Sequence, residues 1–289
     1  MKVRGIVLVM LAAMLWGISG GIADILMENG WDPTVISFYR GAVGLVFFFI
    51  WFVSRLNQNW TFNKRLFTWA TLAGIGIAGN FTFYFLSIEH SSIPIASTLM
   101  YTAPVFVLLI SFILRIERST WFKWGCIFGV LAGIVLLTGA YDFTSISVSV
   151  KGAIAGLAAG VSYALFIFGF KNTSSHGRPQ SSLTVAFFVF CIILFFTSDK
   201  QDLAGAISSD DTLLFLLLGV IGAGISFILY VIGLRHTTAT NASMVAMLEP
   251  VTASLFGVLL LGDHLNWIQI LGMVLIIATI TLLSVKQSD

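Results

Sequence analysis

The sequence predicts an all-α integral membrane protein whose ten transmembrane helices form two inverted five-helix repeats. Three observations carry that expectation. Of 289 residues, 58% are hydrophobic and only 10% are charged, with a mean hydropathy of +0.98. A soluble domain carries about 25% charged residues, so this chain lacks the polar groups to cover itself in water. Second, the apolar residues fall into ten runs long enough to cross a hydrocarbon core of roughly 30 Å, which needs about 20 residues of helix. Third, the chain matches itself at an offset of 146 residues.

The ten runs lie at about 4–27, 33–54, 66–87, 92–115, 119–139, 149–171, 181–198, 211–234, 238–261 and 265–284. The first follows Lys2 and Arg4 like the basic start of a signal peptide. It is too long for one and many spans follow it, so it reads as a retained helix. The connecting loops are short and leave no room for a soluble domain.

Lysine and arginine set the orientation, because cytoplasmic loops carry the excess. With the N-terminus inside, Lys2, Arg4, Arg55, Lys64, Arg65, Arg115, Arg118, Lys123, Lys171, Arg178, Arg235 and Lys286 are cytoplasmic, and only Lys151 and Lys200 are outer. The acids Glu28, Asp32, Glu89, Asp142, Asp199, Asp202, Asp210, Asp211 and Asp263 fall on the outer side. The expectation is a multi-pass protein of the cytoplasmic membrane with both termini in the cytoplasm.

At the offset of 146, Gly76 falls on Gly222, Phe81 on Phe227, Tyr84 on Tyr230, His90 on His236, Ala96-Ser97 on Ala242-Ser243, Pro104-Val105 on Pro250-Val251 and Trp121 on Trp267. Pro33 falls on Pro179. At an offset of 147, Arg4-Gly5 falls on Lys151-Gly152 and Trp16 on Tyr163. The repeats are 1–140, with helices 1 to 5, and 149–286, with helices 6 to 10. An odd number of spans per repeat makes the second half enter the membrane from the side opposite the first, as in many secondary transporters.

The segments "LWG" (Leu15 to Gly17), "FYRG" (Phe38 to Gly41), "LEPV" (Leu248 to Val251) and "LLGD" (Leu260 to Asp263), with "TAPVF" (Thr102 to Phe106) and "RIER" (Arg115 to Arg118) in the first half, resemble the drug/metabolite transporter superfamily, EamA-like branch. The resemblance spans the whole chain as two tandem repeats. Asp263 stands where that family usually has glutamate. The resemblance implies a single chain with a central cavity that moves small metabolites such as amino acids, with export favoured. It fixes no substrate.

Glu249 lies near the middle of helix 9, beside Pro250. A charge at the bilayer centre costs at least ~2.5–3.5 kcal/mol on insertion scales, so Glu249 must face the bundle interior, water or a partner. Its repeat position holds Ala103, so the symmetry of the fold does not require it. It is read either as a contact for a substrate ammonium group or proton coupling, or as a hydrogen-bonded group that holds helices together. Pro104 and Pro250 occupy matched positions and remove the hydrogen bonds to the carbonyls of Met100 and Ala246, giving either paired hinges or fixed kinks. Arg40 is the basic residue inside a span; it is read as snorkelling to the headgroups, reaching an acidic substrate group or, favoured by depth, pairing with Asp24.

Trp16, Tyr39, Asn80, Phe81, Tyr84, Tyr101, Tyr163, Ser226 and Tyr230 are amphipathic residues at or near mid-depth, suited to a cavity for amphipathic solutes or to ordinary packing. That cavity is expected between helices 1, 3, 4, 6, 8 and 9. Glycines at four-residue spacing, Gly17/Gly21, Gly125/Gly129/Gly133 and Gly152/Gly156/Gly160, predict close helix approach, with a dimer face on helix 5 as the alternative.

The remaining motifs are excluded by context. "GIGIAGN" (Gly74 to Asn80) lies within helix 3 and lacks the strand–turn–helix setting of a phosphate loop. The sequons at Asn59 and Asn172 fall on the cytoplasmic side. Cys126 and Cys191 sit in apolar runs without disulfide or metal-ligand spacing. The small, spread net charge of +2 argues against nucleic acid. No nucleophile elbow, paired acids or ATPase motif is present, so the expectation is a non-enzyme without a cofactor. Its partners are a small-molecule substrate and the bilayer, with a proton gradient as one open source of drive, and it is a monomer or weak homodimer. The leading reading is a secondary active transporter working by alternating access. A passive pore is the alternative, against which the few scattered intramembrane polar residues stand.

Overall fold

The computed structural model describes residues 2–54, 56–59, 63–142 and 149–286. Arg55, Trp60 and Thr61, which carry part of the charge pattern and of one sequon, lie outside the described residues. Among the described residues, ten helices are long and apolar enough to span a membrane: α1 (Arg4–Glu28), α2 (Pro33–Val53), α3 (Lys64–His90), α4 (Ile93–Ile113), α5 (Trp121–Thr138), α6 (Val150–Thr173), α7 (Pro179–Thr197), α8 (Thr212–Arg235), α9 (Ala239–Leu261) and α10 (Trp267–Lys286). Their apolar outer faces, among them Phe49, Ile113, Phe128, Phe196, Leu259 and Leu271, are exposed in a way only lipid tolerates. The protein is a multi-pass membrane protein. Both termini lie at one end of the bundle, because the number of spans is even.

Local sequence sets the helix starts. Asp32 caps α2 by accepting from Thr34 N, with Pro33 at the first helical position, where a missing N–H costs nothing. Asn63 caps α3, Thr120 caps α5, Ser149 caps α6 and Thr238 caps α9. A short helix absent from the hydropathy reading, Lys200–Ile207, lies across the end of the bundle opposite the termini and is capped by Asp199.

The packing follows the inverted repeat. Helix α3 lies along α6, as α8 lies along α1, while α2 pairs with α7 and α5 with α10 across the pseudo-twofold axis. Matched glycines set these approaches. A Cβ on Gly5 would stand 2.8 Å from His236 Cβ, and one on Gly152 would stand 2.8 Å from the His90 carbonyl oxygen; these are the same contact repeated at opposite ends. Gly76 packs against Phe166 in α6 and its mate Gly222 against Ser19 in α1, again repeat mates. Gly133 and Gly272 bring α5 and α10 into backbone contact. Trp121 at the start of α5 and Trp267 at the start of α10 are 93% and 81% exposed, one at each end of the bundle.

Two spans are broken rather than kinked. Helix α4 consists of Ile93–Met100 and Ala103–Ile113, and α9 consists of Ala239–Ala246 and Glu249–Phe256. The chain crosses each break by i→i−3 bonds, Thr102 N to Leu99 O at 3.2 Å and Leu248 N to Val245 O at 3.1 Å. Pro104 and Pro250 therefore sit in the first turn of a new half-helix, where their missing donor is not needed. Two π-helical stretches, Val220–Ile225 and Gly257–Leu261, occur in the second half.

Candidate functional site

A cavity of about 850 Å³ lies between the two halves and opens at the end opposite the termini. Its mouth is lined by Asp24, Met27, Glu89, Ile93, Thr138 and Asp263, and its inner end by Trp16, Arg40, Tyr101, Tyr163, Phe166, Phe227 and Glu249. Helix α2 contributes Ser37 and Arg40, so it belongs to the lining, which was expected from the other central spans alone.

The inner end is an aromatic cup. The Trp16 ring lies against Phe227 at 5.1 Å and Tyr230 at 4.9 Å, with Phe166 edge-on at 6.4 Å, and Tyr163 packs on Phe166 at 4.5 Å. Trp16 and Tyr163, related by the repeat, are 4% and 3% exposed. Trp16 Nε1 and the Tyr163 hydroxyl are both buried without a hydrogen-bond partner. Buried polar groups ordinarily find partners, so these are two unpaired donors in side chains that line the cavity.

Glu249 begins the second half-helix of α9, where helical N–H groups leave a positive end that favours an anionic side chain. Its side chain lines the inner end of the cavity with Arg40, Tyr101 and Tyr163 and lies close enough to all three to feel their charge or dipole. Arg40 Nε donates to the carbonyl oxygen of Gly222 at 3.1 Å, and its guanidinium lies 5.2 Å from the centre of the Phe81 ring. One cation, one carboxylate and an aromatic wall thus face a common space.

The expected ion pair between Arg40 and Asp24 is not formed. Among the described residues, the single ion pair within 4.0 Å joins Lys123 to Glu117. Asp24 lies nearer the mouth among the acids Glu28 and Asp263, while Glu249 is the acid that acts on Arg40. Three further candidates do not line the cavity. Tyr39 follows Phe38 around α2 and turns away from Arg40, donating its hydroxyl to the Leu203 carbonyl at 2.5 Å. Ser226 and Tyr230 are fully buried, because α8 turns Phe227 inward and they occupy the neighbouring face. Asn80 and Tyr84 do line it; Asn80 Nδ2 donates to Ala159 O at 3.1 Å, and the Tyr84 hydroxyl is hydrogen-bonded to the Ser97 hydroxyl at 3.0 Å. Pro250 lines the cavity and Pro104 does not.

The termini end is closed. Lys171 Nζ donates to the carbonyl oxygens of Leu234 at 2.8 Å and Thr237 at 2.6 Å, and Arg235 donates to Gly177 O at 2.6 Å. Thr240, Ser243 and Met244 beneath are fully buried. Lys171 was not marked for this role by its sequence context, because a lysine at a helix end is normally solvated.

The model of the EamA-like transporter family matches residues 3–139 and again residues 150–285. The chain belongs to the EamA-like transporter family. Among curated relatives of this EamA-like chain, the uncharacterized transporter YwfM of Bacillus subtilis is 23% identical over 96% of this chain and 92% of its own length. The threonine/homoserine exporter RhtA of Salmonella typhimurium is 29% identical over 71% of this chain and 67% of its own. One solved crystal structure superposes with a TM-score of 0.74 at 18% identity, covering 99% of both chains, which establishes the shared fold.

Proposed function

We propose that this EamA-like protein is a secondary active transporter that exports small amphipathic metabolites, of the amino-acid class, across the cytoplasmic membrane by alternating access. The observation that carries the reading is a cavity open at one end and sealed at the other, with Glu249 and Arg40 at its inner end. A zwitterion presents an ammonium group for Glu249 and a carboxylate for Arg40 and the unspent Trp16 Nε1 donor. Phe166, Phe227 and Tyr163 would take its apolar part. Threonine and homoserine, named for the relative RhtA, have that chemistry.

The repeat supports the alternating part. Tyr84 lines the cavity near its open end, whereas its mate Tyr230 is buried near the closed end. Exchanging the conformations of the two halves would bury the first and expose the second. The distribution of lysine and arginine supports a cytoplasmic location for both termini.

Counterflow of labelled amino acids in proteoliposomes tests the reading. Uptake of label driven by an outward gradient of the same unlabelled solute is the expected result. Flux that shows no such exchange and never saturates would instead identify a passive pore.

A further inference from the structure

The two ends of the bundle are built from matching parts, but only one end has its acidic member engaged. At the termini end, the turn after α4 folds back so that Glu117 N donates to Ser111 O at 3.3 Å. The Glu117 carboxylate then holds two partners, Lys123 Nζ at 2.5 Å and the backbone N–H of Thr240 at 3.2 Å. Thr240 lies in the first turn of α9, directly after its cap Thr238. Glu117 therefore ties the first repeat to the start of α9 and latches the closed end.

An offset of 146 turns Ser111 into Gly257, Glu117 into Asp263, Thr120 into Asn266, Lys123 into Gln269 and Thr238 into Ser92. The backbone follows the match. Asp263 N donates to Gly257 O at 3.1 Å, and Asn266 Oδ1 accepts from Gln269 N at 2.9 Å, as Thr120 Oγ1 accepts from Lys123 N at 3.3 Å. The acid does not, and Gln269 donates its Nε2 to Leu137 O at 3.2 Å. Among the described residues, Asp263 makes no side-chain hydrogen bond or ion pair, and it lies at the open mouth of the cavity, as does Ile93 at the start of α4. Ser92, the cap of α4, makes no side-chain cap bond, and its buried Oγ has no partner.

We infer that Asp263 is the latch of the opposite end and engages the first turn of α4 when the cavity closes there. Its acceptors meet the Ser92 hydroxyl and the free N–H groups of Ile93 and Ile95; Pro94, which replaces Thr240 in the match, has none to give. This latch is the weaker of the two. Aspartate is one methylene shorter than Glu117, and neutral Gln269 stands where Lys123 completes the other. The structure is open at the end whose latch lacks the lysine. The inference rests on the alternating-access reading, but its test needs no substrate.

The test is labelling by a membrane-impermeant maleimide in nanodiscs, where both ends are accessible. In a chain with Cys126 and Cys191 replaced by alanine, Ala23→Cys reports on the open end and Ser243→Cys on the closed end. Gln269→Lys, which supplies the missing cation, should slow labelling at position 23 by about two- to fivefold, the range an exposed ion pair supplies, and raise it at position 243. Adding Asp263→Ala should return both rates to their starting values. Asp263→Glu, which restores the reach of Glu117, should also slow labelling at position 23. Unchanged rates in both single variants, or a Gln269→Lys effect that persists without Asp263, overturns the inference. Unfolding is distinguished because it speeds labelling at both positions, and Asp263→Glu then decides.

Discussion

Arg40 Nε reaches across from α2 to the carbonyl oxygen of Gly222, 3.1 Å away, inside the π-helical stretch Val220–Ile225 of α8. Short π-helical stretches recur at functional sites, and the guanidinium fork can serve this carbonyl through Nε while its other nitrogens face elsewhere. The position needs arginine and not merely positive charge, because lysine has neither the fork nor the flat face that lies over Phe81. Arg40→Lys should lower transport at least tenfold and cost about 1.5–3 kcal/mol of stability, the range for a hydrogen bond to a charged group. Counterflow and thermal unfolding of the same preparation measure both. Full transport by the lysine variant would show that only the charge matters.

Glu249 is the second residue whose chemistry the proposed function requires. Glu249→Gln keeps the shape and removes the charge. Transport should fall and lose most of its pH dependence, while the unfolding temperature should stay within a few degrees of the parent. An unchanged pH profile at full activity would remove Glu249 from the mechanism.

Gly17 holds α1 against the start of the second α9 half-helix. A Cβ there would stand 2.6 Å from the Glu249 carbonyl oxygen and 2.6 Å from Thr252 Cβ. Gly125 faces open space, with nothing within 4 Å. Gly17→Ala should destabilise by about 1–3 kcal/mol through overpacking, and it should weaken substrate binding by displacing Glu249. Gly125→Ala should stabilise by about 0.5–1 kcal/mol, because it only removes chain entropy from a helix interior. Equal effects of the two would mean that the close approach of α1 to α9 carries no constraint.

Pro104 and Pro250 start half-helices in matched spans. Replacing both with alanine permits each broken span to heal into a continuous helix. Exchange between the two open states should slow, measured as the labelling kinetics of cavity cysteines. Unchanged kinetics would show that the breaks are held by the surrounding packing.

The spans and the inverted repeat were legible because both are written in one dimension. Apolar length marks a crossing, and the coincidence of Pro104 with Pro250, His90 with His236 and Trp121 with Trp267 marks the register. Glu249 and Arg40 were legible as candidate residues because a charge within a span stands out against its neighbours, and both line the cavity. Arg40's partner was not, since depth alone could not distinguish Asp24 from a carbonyl on α8. Facing was also hidden. Helix α8 is apolar on every side, so nothing in its pattern shows that Phe227 turns inward while Ser226 and Tyr230 do not. Tyr84 and Tyr230 read as equals because a repeat carries no information about which half is open.

The paired helices α5 and α10 meet through Gly133 and Gly272 and carry an exposed tryptophan at each end. Indole rings prefer the headgroup layer, so Trp121 and Trp267 moor this pair to both leaflets. Eighteen residues of α5 rise about 27 Å, close to the roughly 30 Å of hydrocarbon. In the proposed cycle the pair would act as a post fixed in the lipid, with the other eight spans rearranging around it. Bilayer thickness would set the height of that post, which would make the surrounding lipid a mechanical component of the proposed cycle as well as its solvent.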